Sequence, residues 1–179
     1  MVYDPQLHHR RSIRLRDYDY SWAGWYFVTL CTHGRECILG KAMNDSILET
    51  DLGKLVRETW AHLPNHYAVE LDDFVMMPNH IHGIIIIRDS TVGAIHESPL
   101  RKDAKSKRRK MLLSKIIGRF KMTSAKRINL LRETPGRPAW QRGFYEHIIR
   151  NDTDLHRIRI YMKNNPLQWA LDEENPENA

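Results

Sequence analysis

Two histidines separated by one residue, His80 and His82, are the first side chains whose spacing suggests chemistry. They follow a turn sequence, Pro78-Asn79, and open a run of isoleucines that predicts a strand. Alternate residues of a strand project from the same face, so both imidazoles are expected to point the same way and to share one cation. Two histidine ligands leave coordination positions open, as a catalytic metal site requires. The alternative is a pair of surface histidines beside a turn.

A tyrosine near the C-terminus is the second candidate. The segment DLHRIRIYMKNNP has apolar residues at helical spacing, and Tyr161 lies at the edge of that stripe. Asn165 follows Tyr161 by four residues and therefore shares its helical face. Tyr161 can act as a nucleophile there, and an amide one turn later can complete a metal shell. The alternatives are that Tyr161 belongs to the core and that Asn165, which precedes Pro166, only ends the helix.

The elements that must position these residues follow from hydrophobic periodicity. Strands are predicted at 25–30, 69–77, 80–87 and 144–149, and helices from about Ser46 or Asp51 to Leu63, at 110–131, and from about Asn151 to before Pro166. The pair Asp72-Asp73 suggests a bulge in the second strand, and isoleucines on both faces of the third strand place it centrally. The order β-α-β-β-α-β, followed by one more helix, predicts an α+β fold with a ferredoxin-like or RRM-like antiparallel sheet.

The long helix is predicted to bury one apolar face. Its inward residues are expected to be Leu113, Ile116, Ile117, Phe120, Ile128 and Leu131.

Length and composition limit the classes of protein that remain. The 179 residues fit one domain over 1–179, with a basic arm at 1–20, an exposed basic loop at 91–110 and an acidic tail at 172–179 that is expected to fray. The net charge of +6 suits a polyanionic partner, although a solvated basic surface explains it equally well. Two cysteines, no apolar leader and no long apolar run predict a cytoplasmic protein without a membrane span.

The motifs taken together resemble those of the HUH single-tyrosine transposases, and among them the REP-associated tyrosine transposases. The resemblance spans about residues 11–166 and rests on four segments in order: YSWAGWYFVTLCT at 20–32, VMMPNHIHGI at 75–84, WQRGFYEHIIR at 140–150 and YMKNNP at 161–166. It implies an enzyme that cuts and rejoins single-stranded DNA, at hairpin sequences, through a 5′-phosphotyrosine intermediate. It also implies a catalytic C-terminal helix.

The resemblance assigns roles to the candidate residues. Tyr161 is the implied nucleophile, and the implied ligands of a divalent ion, Mg²⁺ or Mn²⁺, are His80, His82 and Asn165. Many relatives have Gln where this chain has Asn165, whose side chain is shorter.

Some of these assignments have alternatives in the sequence. His147 or Glu146, on the neighbouring strand, are alternative third ligands, and Tyr145 competes with Tyr161 as nucleophile. The phenolate of a tyrosine is favoured by a nearby cation, because the pKa of a free tyrosine is about 10. Lys163 and Lys121 are the candidate lysines.

Single-stranded DNA requires a cationic groove with aromatic platforms. The predicted partner is therefore single-stranded DNA, in hairpin form, while a homodimer is left open. The residues expected to contact DNA are Arg10, Arg11, Arg14, Arg16, Arg108, Arg109, Lys110, Lys121, Lys126, Arg127, Trp140 and Arg142.

Three other functions fit part of the pattern. A replication initiator or relaxase would share the chemistry, but such proteins usually carry a further domain for which this chain has no room. A domesticated DNA-binding protein would keep the basic surface without catalysis, against which the intact histidine pair and Tyr161 argue. A metallohydrolase built on a larger barrel needs about 250 residues, more than the 179 of this chain.

Overall fold

The computed structural model of the chain describes Tyr20 and residues 22–43, 46–88, 111–172 and 175–178. The strands are β1 (Gly24–Cys31), β2 (Gly40–Met43), β3 (Ser46–Glu49), β4 (Val69–Met76), β5 (His80–Ile87) and β6 (Tyr145–Ile149). The helices are α1 (Asp51–Ala61), α2 (Leu112–Leu131) and α3 (Asp152–Asn164). Short 3-10 turns follow β1, α1 and α3.

The main sheet is antiparallel, with strand order β4-β5-β1-β6, and β2 and β3 form a separate hairpin. The four strands of the main sheet alternate with α1 and α2 in the predicted β-α-β-β-α-β order, so the predicted α+β class with a ferredoxin-like sheet is confirmed. β5 lies between β4 and β1, and all eight of its residues are buried, as expected for a central strand.

The two faces of the sheet carry different helices. Tyr26 and Val28 of β1 pack with Ile81 and Ile85 of β5 in the larger core, which α1 and α2 cover. On the opposite face, Phe27 packs in a smaller apolar cluster with residues of α3. Because residues alternate along β5, its two histidines lie on the face that carries α3.

Gly83, which follows the histidine pair, marks a close contact with the larger core. A Cβ atom at Gly83 would lie 2.4 Å from Cζ2 of the Trp60 indole, which α1 supplies. Only a residue without a side chain lets Trp60 lie directly on β5 at this point. The strand that carries the histidines is thereby fixed from the opposite side of the sheet.

α3 is capped at its start and tied to the edge of the sheet along its length. The Asn151 side chain accepts a hydrogen bond of 2.9 Å from the Asp154 amide, as an N-cap residue does. The Arg159 guanidinium forms an ion pair with Asp72 of β4. Asp72 lies where the β4–β5 register shifts between Leu71 and Phe74, so the predicted bulge is confirmed. Through its ion pair with Arg159, Asp72 also anchors α3 to the bulge.

Three local predictions are wrong. A helix does not begin at Ser46, because Ser46–Glu49 is a strand and Thr50 is the N-cap residue that accepts from Gly53 N. Leu131, at the end of α2, is 57% exposed because it lies in the last turn of the helix. The tail does not simply fray, since Asn175 is buried and its Nδ2 donates to Trp169 O. In the part of the chain that is described, no helix is long and apolar enough to cross a membrane.

Candidate active site

A cleft of about 780 Å³ lies beside α3, on the sheet face that carries the histidines. Strands β1, β5 and β6 form its floor, α3 forms one wall, and the turns after α3 form another. The lining residues are Phe27, Thr29, His80, His82, Tyr145, His147, Arg157, Ile158, Tyr161, Asn165, Gln168, Leu171 and Asp172.

The two histidines of the cleft face each other through one nitrogen each, with their Nε2 atoms 3.0 Å apart. The Asn79 amide is fixed because its Nδ2 donates to Arg35 O, so its Oδ1 accepts a hydrogen bond of 2.9 Å from His80 Nδ1. The proton of His80 is therefore on Nδ1, and its Nε2 presents a lone pair. His82 Nδ1 lies 2.8 Å from Thr29 Oγ1, a contact that fixes the orientation of the second ring.

Both imidazoles are held neutral by their surroundings. Burial lowers the pKa of His80 to about 4, against the opposing attraction of the Asp172 carboxylate. Burial, together with the neighbouring His80, lowers the pKa of His82 well below its ordinary value. Neutral imidazole is the form that binds metal ions, so both Nε2 lone pairs are available near neutral pH.

Asn165 brings an amide to the same place from the end of α3. It is the C-cap residue of that helix, it is only 4% exposed, and its Nδ2 lies 3.1 Å from His82 Nε2. Its Oδ1 is buried without a hydrogen-bond partner. The nitrogen and oxygen of an amide exchange places by a half-turn of the side chain, so the oxygen can also face the histidines.

This set of donors fits a divalent cation. Metal–ligand distances of about 2.1 Å at right angles place neighbouring ligand atoms about 3.0 Å apart, which matches the separation of the two Nε2 atoms. The Asn165 oxygen lacks a partner that a cation would supply. Among the described residues, no three side chains of the types His, Cys, Asp or Glu are grouped to hold a metal. The Asn165 amide is a further oxygen donor beside the histidine pair.

The two alternative third ligands lie differently. Glu146 pairs with Val28 in the sheet register and therefore projects toward α1 and α2, away from the histidines, so the expectation that it could serve as a ligand is wrong. His147 pairs with Phe27 and lines the cleft, but its Nε2 is 2.8 Å from Asp154 Oδ2. A carboxylate that the sequence did not suggest lies beside the pair, since Asp172 Oδ2 is 3.9 Å from His80 Nε2.

Tyr161 and Tyr145 both line the cleft, and the rings of both contact the Phe27 ring edge-on. The Tyr161 ring centroid is 5.4 Å from that of His82, and the residue is 47% exposed. Tyr161 therefore lies directly beside the candidate metal ligands while its side chain remains accessible. Tyr145 is 39% exposed, and its ring contacts Phe27 rather than a histidine.

Several residues expected to contact DNA have structural contacts instead. Trp140 is buried, and its Nε1 donates to Ser124 Oγ, so the prediction that it forms a stacking platform is wrong. Lys121 donates to the carbonyl oxygens of Gln141, at 2.8 Å, and Gly143. This position also removes Lys121 as a cation for the tyrosine, because it braces the loop before β6 and does not line the cleft.

The predicted cationic face of α2 is not formed. At 3.6 residues per turn, Lys126 and Arg127 point about 140° and 240° around the helix from Lys121. Arg127 binds Glu58 and Thr59 of α1, whereas Lys126 is exposed.

The other basic residues divide into two groups. Arg142 is exposed before β6, and Lys163, the other candidate lysine, is exposed on α3. The remaining predicted contacts, Arg10, Arg11, Arg14, Arg16, Arg108, Arg109 and Lys110, lie outside the described residues.

The sequence analysis missed the residues that orient the histidines and charge the cleft. Asn79 and Thr29 fix the rings of His80 and His82, and Arg157 and Asp172 add charges to the walls. Asn79 could have been found from its position directly before His80. Thr29 and Asp172 reach the site through sheet register and through the turns after α3, which no local pattern shows.

Comparison with known proteins finds similarity to a sequence relative and to solved structures, one of which has the same fold. The chain is 38% identical over 177 residues to an uncharacterized protein of Haemophilus influenzae, with 96% of each chain covered. It superimposes on a REP-associated tyrosine transposase bound to a REP hairpin with a TM-score of 0.53 at 20% identity, covering 88% of this chain and 74% of that one. No family model matches.

Proposed function

The chain belongs to the family of the Haemophilus influenzae protein and has the fold of a REP-associated tyrosine transposase, and on this premise we propose that it is an HUH single-tyrosine transposase. The observation that supports the proposal most is the position of Tyr161 in the cleft. An accessible tyrosine lies beside two neutral histidines whose Nε2 atoms converge with the Asn165 amide.

The reaction is an exchange of phosphodiester partners. Tyr161 Oη attacks the phosphorus of a single-stranded DNA, the bond from phosphorus to the 3′-oxygen breaks, and a 5′-phosphotyrosine link forms. The phenol proton is lost and the released 3′-oxygen gains one, so charge balances. The new ester keeps the bond energy of the old one, and a second 3′-hydroxyl can therefore displace the tyrosine without ATP.

A divalent ion bound by His80, His82 and Asn165 would supply electrophilic stabilisation of charge on the phosphate oxygens. Two imidazole nitrogens suit Mn²⁺ better than Mg²⁺, which prefers oxygen ligands. The protein's own contribution is to hold the three donors ready. Asn79 and Thr29 orient the rings, and burial keeps both imidazoles unprotonated.

The proposed substrate is single-stranded DNA next to a hairpin. The transposase of the same fold is bound to a REP hairpin, and the cleft of this chain carries Arg157, a cation suited to a phosphate. A cleft open to one strand, walled by aromatic rings, accepts unpaired nucleotides more readily than a duplex.

The proposed activity is expected to give a covalent protein–DNA adduct. Wild-type protein, incubated with Mn²⁺ and 5′- or 3′-labelled single strands that flank a hairpin, should produce a band on a denaturing gel that protease treatment removes. Only the strand 3′ of the cut should be attached, because tyrosine takes the 5′-phosphate. A free 5′-phosphate product, with no adduct at any time point, would contradict a tyrosine mechanism and indicate attack by water.

The proposed role of Asn165 as the third metal ligand can be tested by substitution. Asn165→Ala removes the buried amide and should lower cleavage by about 10-fold to 100-fold, with half-saturation at a higher Mn²⁺ concentration. Asn165→Asp supplies an anionic oxygen at the same reach and should restore activity at low Mn²⁺. Titration of cleavage rate with Mn²⁺ measures both effects. An unchanged Mn²⁺ dependence in Asn165→Ala would remove Asn165 from the ligand set.

A further inference from the structure

A histidine that lines the cleft, His147, forms a pair with an aspartate of α3. His147 Nε2 lies 2.8 Å from Asp154 Oδ2, and Arg157 Nη2 donates to the other carboxylate oxygen, Asp154 Oδ1, at 2.7 Å. His147 comes from β6 and Asp154 from the first turn of α3, so the pair joins the floor of the cleft to one of its walls. His147 is about one-third exposed, and Asp154 is mostly shielded.

Asp154 is ionised, and its carboxylate determines which nitrogen of His147 is available for proton transfer. The hydrogen bond with His147 is the largest cause that lowers the pKa of Asp154, and Arg157 adds to it. A carboxylate only accepts, so His147 donates from Nε2. Among the described residues, none forms a hydrogen bond with Nδ1, which leaves that nitrogen to exchange a proton with a molecule bound in the cleft.

The pair contributes little to stability, because both side chains are partly exposed to solvent, which screens their attraction. Its place in the cleft gives it another use. Phe27 pairs with His147 in the sheet register, and the Phe27 ring contacts Tyr161 edge-on. The imidazole and the tyrosine therefore both neighbour Phe27, and both line the cleft. A phosphate attacked by Tyr161 therefore has His147 within the same cleft.

Other groups in the cleft are less suited to carry a proton. The histidines of β5 present their Nε2 atoms to the cation site, and their Nδ1 atoms contact Asn79 and Thr29. Arg157 remains charged at any working pH. Asp172 lies beside His80, at the cation site.

We propose that His147 is the proton-transfer residue of the reaction, with Asp154 as the residue that positions it. In cleavage, the imidazolium gives its Nδ1 proton to the 3′-oxygen as the bond from phosphorus to that oxygen breaks, while the phenol proton of Tyr161 passes to solvent. In rejoining, neutral His147 takes the proton of the attacking 3′-hydroxyl, the new bond to phosphorus forms, and the phenolate of Tyr161 leaves. This inference rests on the proposed transposase function.

A DNA strand with sulfur in place of the bridging 3′-oxygen shows whether His147 donates a proton or only supports the structure of the cleft. A thiolate leaves without a proton, because thiols are far more acidic than alcohols. His147→Ala should slow cleavage of the all-oxygen strand about 100-fold or more. The same variant should cleave the 3′-thio strand at a rate within about a few-fold of the wild-type rate. Single-turnover gel assays in Mn²⁺ measure both rates. Asp154→Asn should show a smaller loss with the same recovery.

The matched control is His156→Ala, which removes an exposed histidine of α3 that does not line the cleft. It should cleave both strands at the wild-type rate. Equal slowing of both strands by His147→Ala would overturn the inference and leave the proposed function standing. Failure of the wild-type protein to cleave either strand would overturn the proposed function, and this inference with it.

Discussion

Tyr161→Phe is expected to abolish the covalent adduct and to lower strand cleavage on the order of 10⁴-fold or more, as loss of a nucleophile does in other enzymes. The variant keeps the ring, so its edge contacts with Phe27 and His82 remain and the fold should be unaffected. Binding of hairpin DNA should also remain, because it depends on cations spread over the surface. Denaturing gels for the adduct and gel shifts for binding measure the two effects separately.

Tyr145→Phe is the matched control for this prediction. It makes the same chemical change at the other tyrosine of the cleft, which lies on a strand and contacts only Phe27 among the rings described. Most cleavage activity should survive. If mass spectrometry of the trapped adduct finds the nucleotide on Tyr145, or if Tyr161→Phe still forms the adduct, the assignment of the nucleophile is wrong.

His80→Ala and His82→Ala are each expected to lower cleavage by more than about 100-fold, and the double variant should have no measurable activity. Each change removes one of the two Nε2 donors that lie 3.0 Å apart, and the remaining donors cannot hold the ion in the same place. Excess EDTA should give the same loss in the wild-type protein. Cleavage rates across a Mn²⁺ titration test this directly.

His62→Ala provides a control, because His62 is exposed at the end of α1, on the other side of the sheet. It should cleave like the wild type. DNA binding by the two histidine variants should also remain near the wild-type level, which separates a metal role from loss of folding. Full cleavage by the double variant, or by wild type in EDTA, would rule out the metal role.

Local periodicity was enough to predict the four strands of the main sheet. The alternation of His80, Ile81 and His82 on a strand put both imidazoles on one face of the sheet, and both line the cleft. The four-residue spacing from Tyr161 to Asn165 put both on one face of α3, and both line the cleft. These features depend on helix and strand repeats, which do not change with tertiary context.

The features that were missed depend on contacts between distant segments. The β2–β3 hairpin is short, and its second strand, Ser46–Glu49, could be taken for the first turn of α1. The helix instead begins after Thr50, which is its N-cap residue. Trp140 and Lys121 appeared suited to DNA by residue type. Trp140 instead donates a hydrogen bond to Ser124, and Lys121 donates to carbonyl oxygens of the loop before β6, so both stabilise the fold. No local sequence pattern indicates such partners.

The close packing of Trp60 on Gly83 also bears on how such a protein can diverge. The histidine strand is buried on both faces and wedged against the indole, so a substitution that alters the spacing of the cation ligands also disrupts the folding core. Exposed basic residues such as Arg142 and Lys126 have no such coupling. Under the proposed function, sequence drift can therefore change which DNA is recognised while the residues that carry out strand exchange stay fixed, so a lineage can acquire new target sequences and keep the same active site.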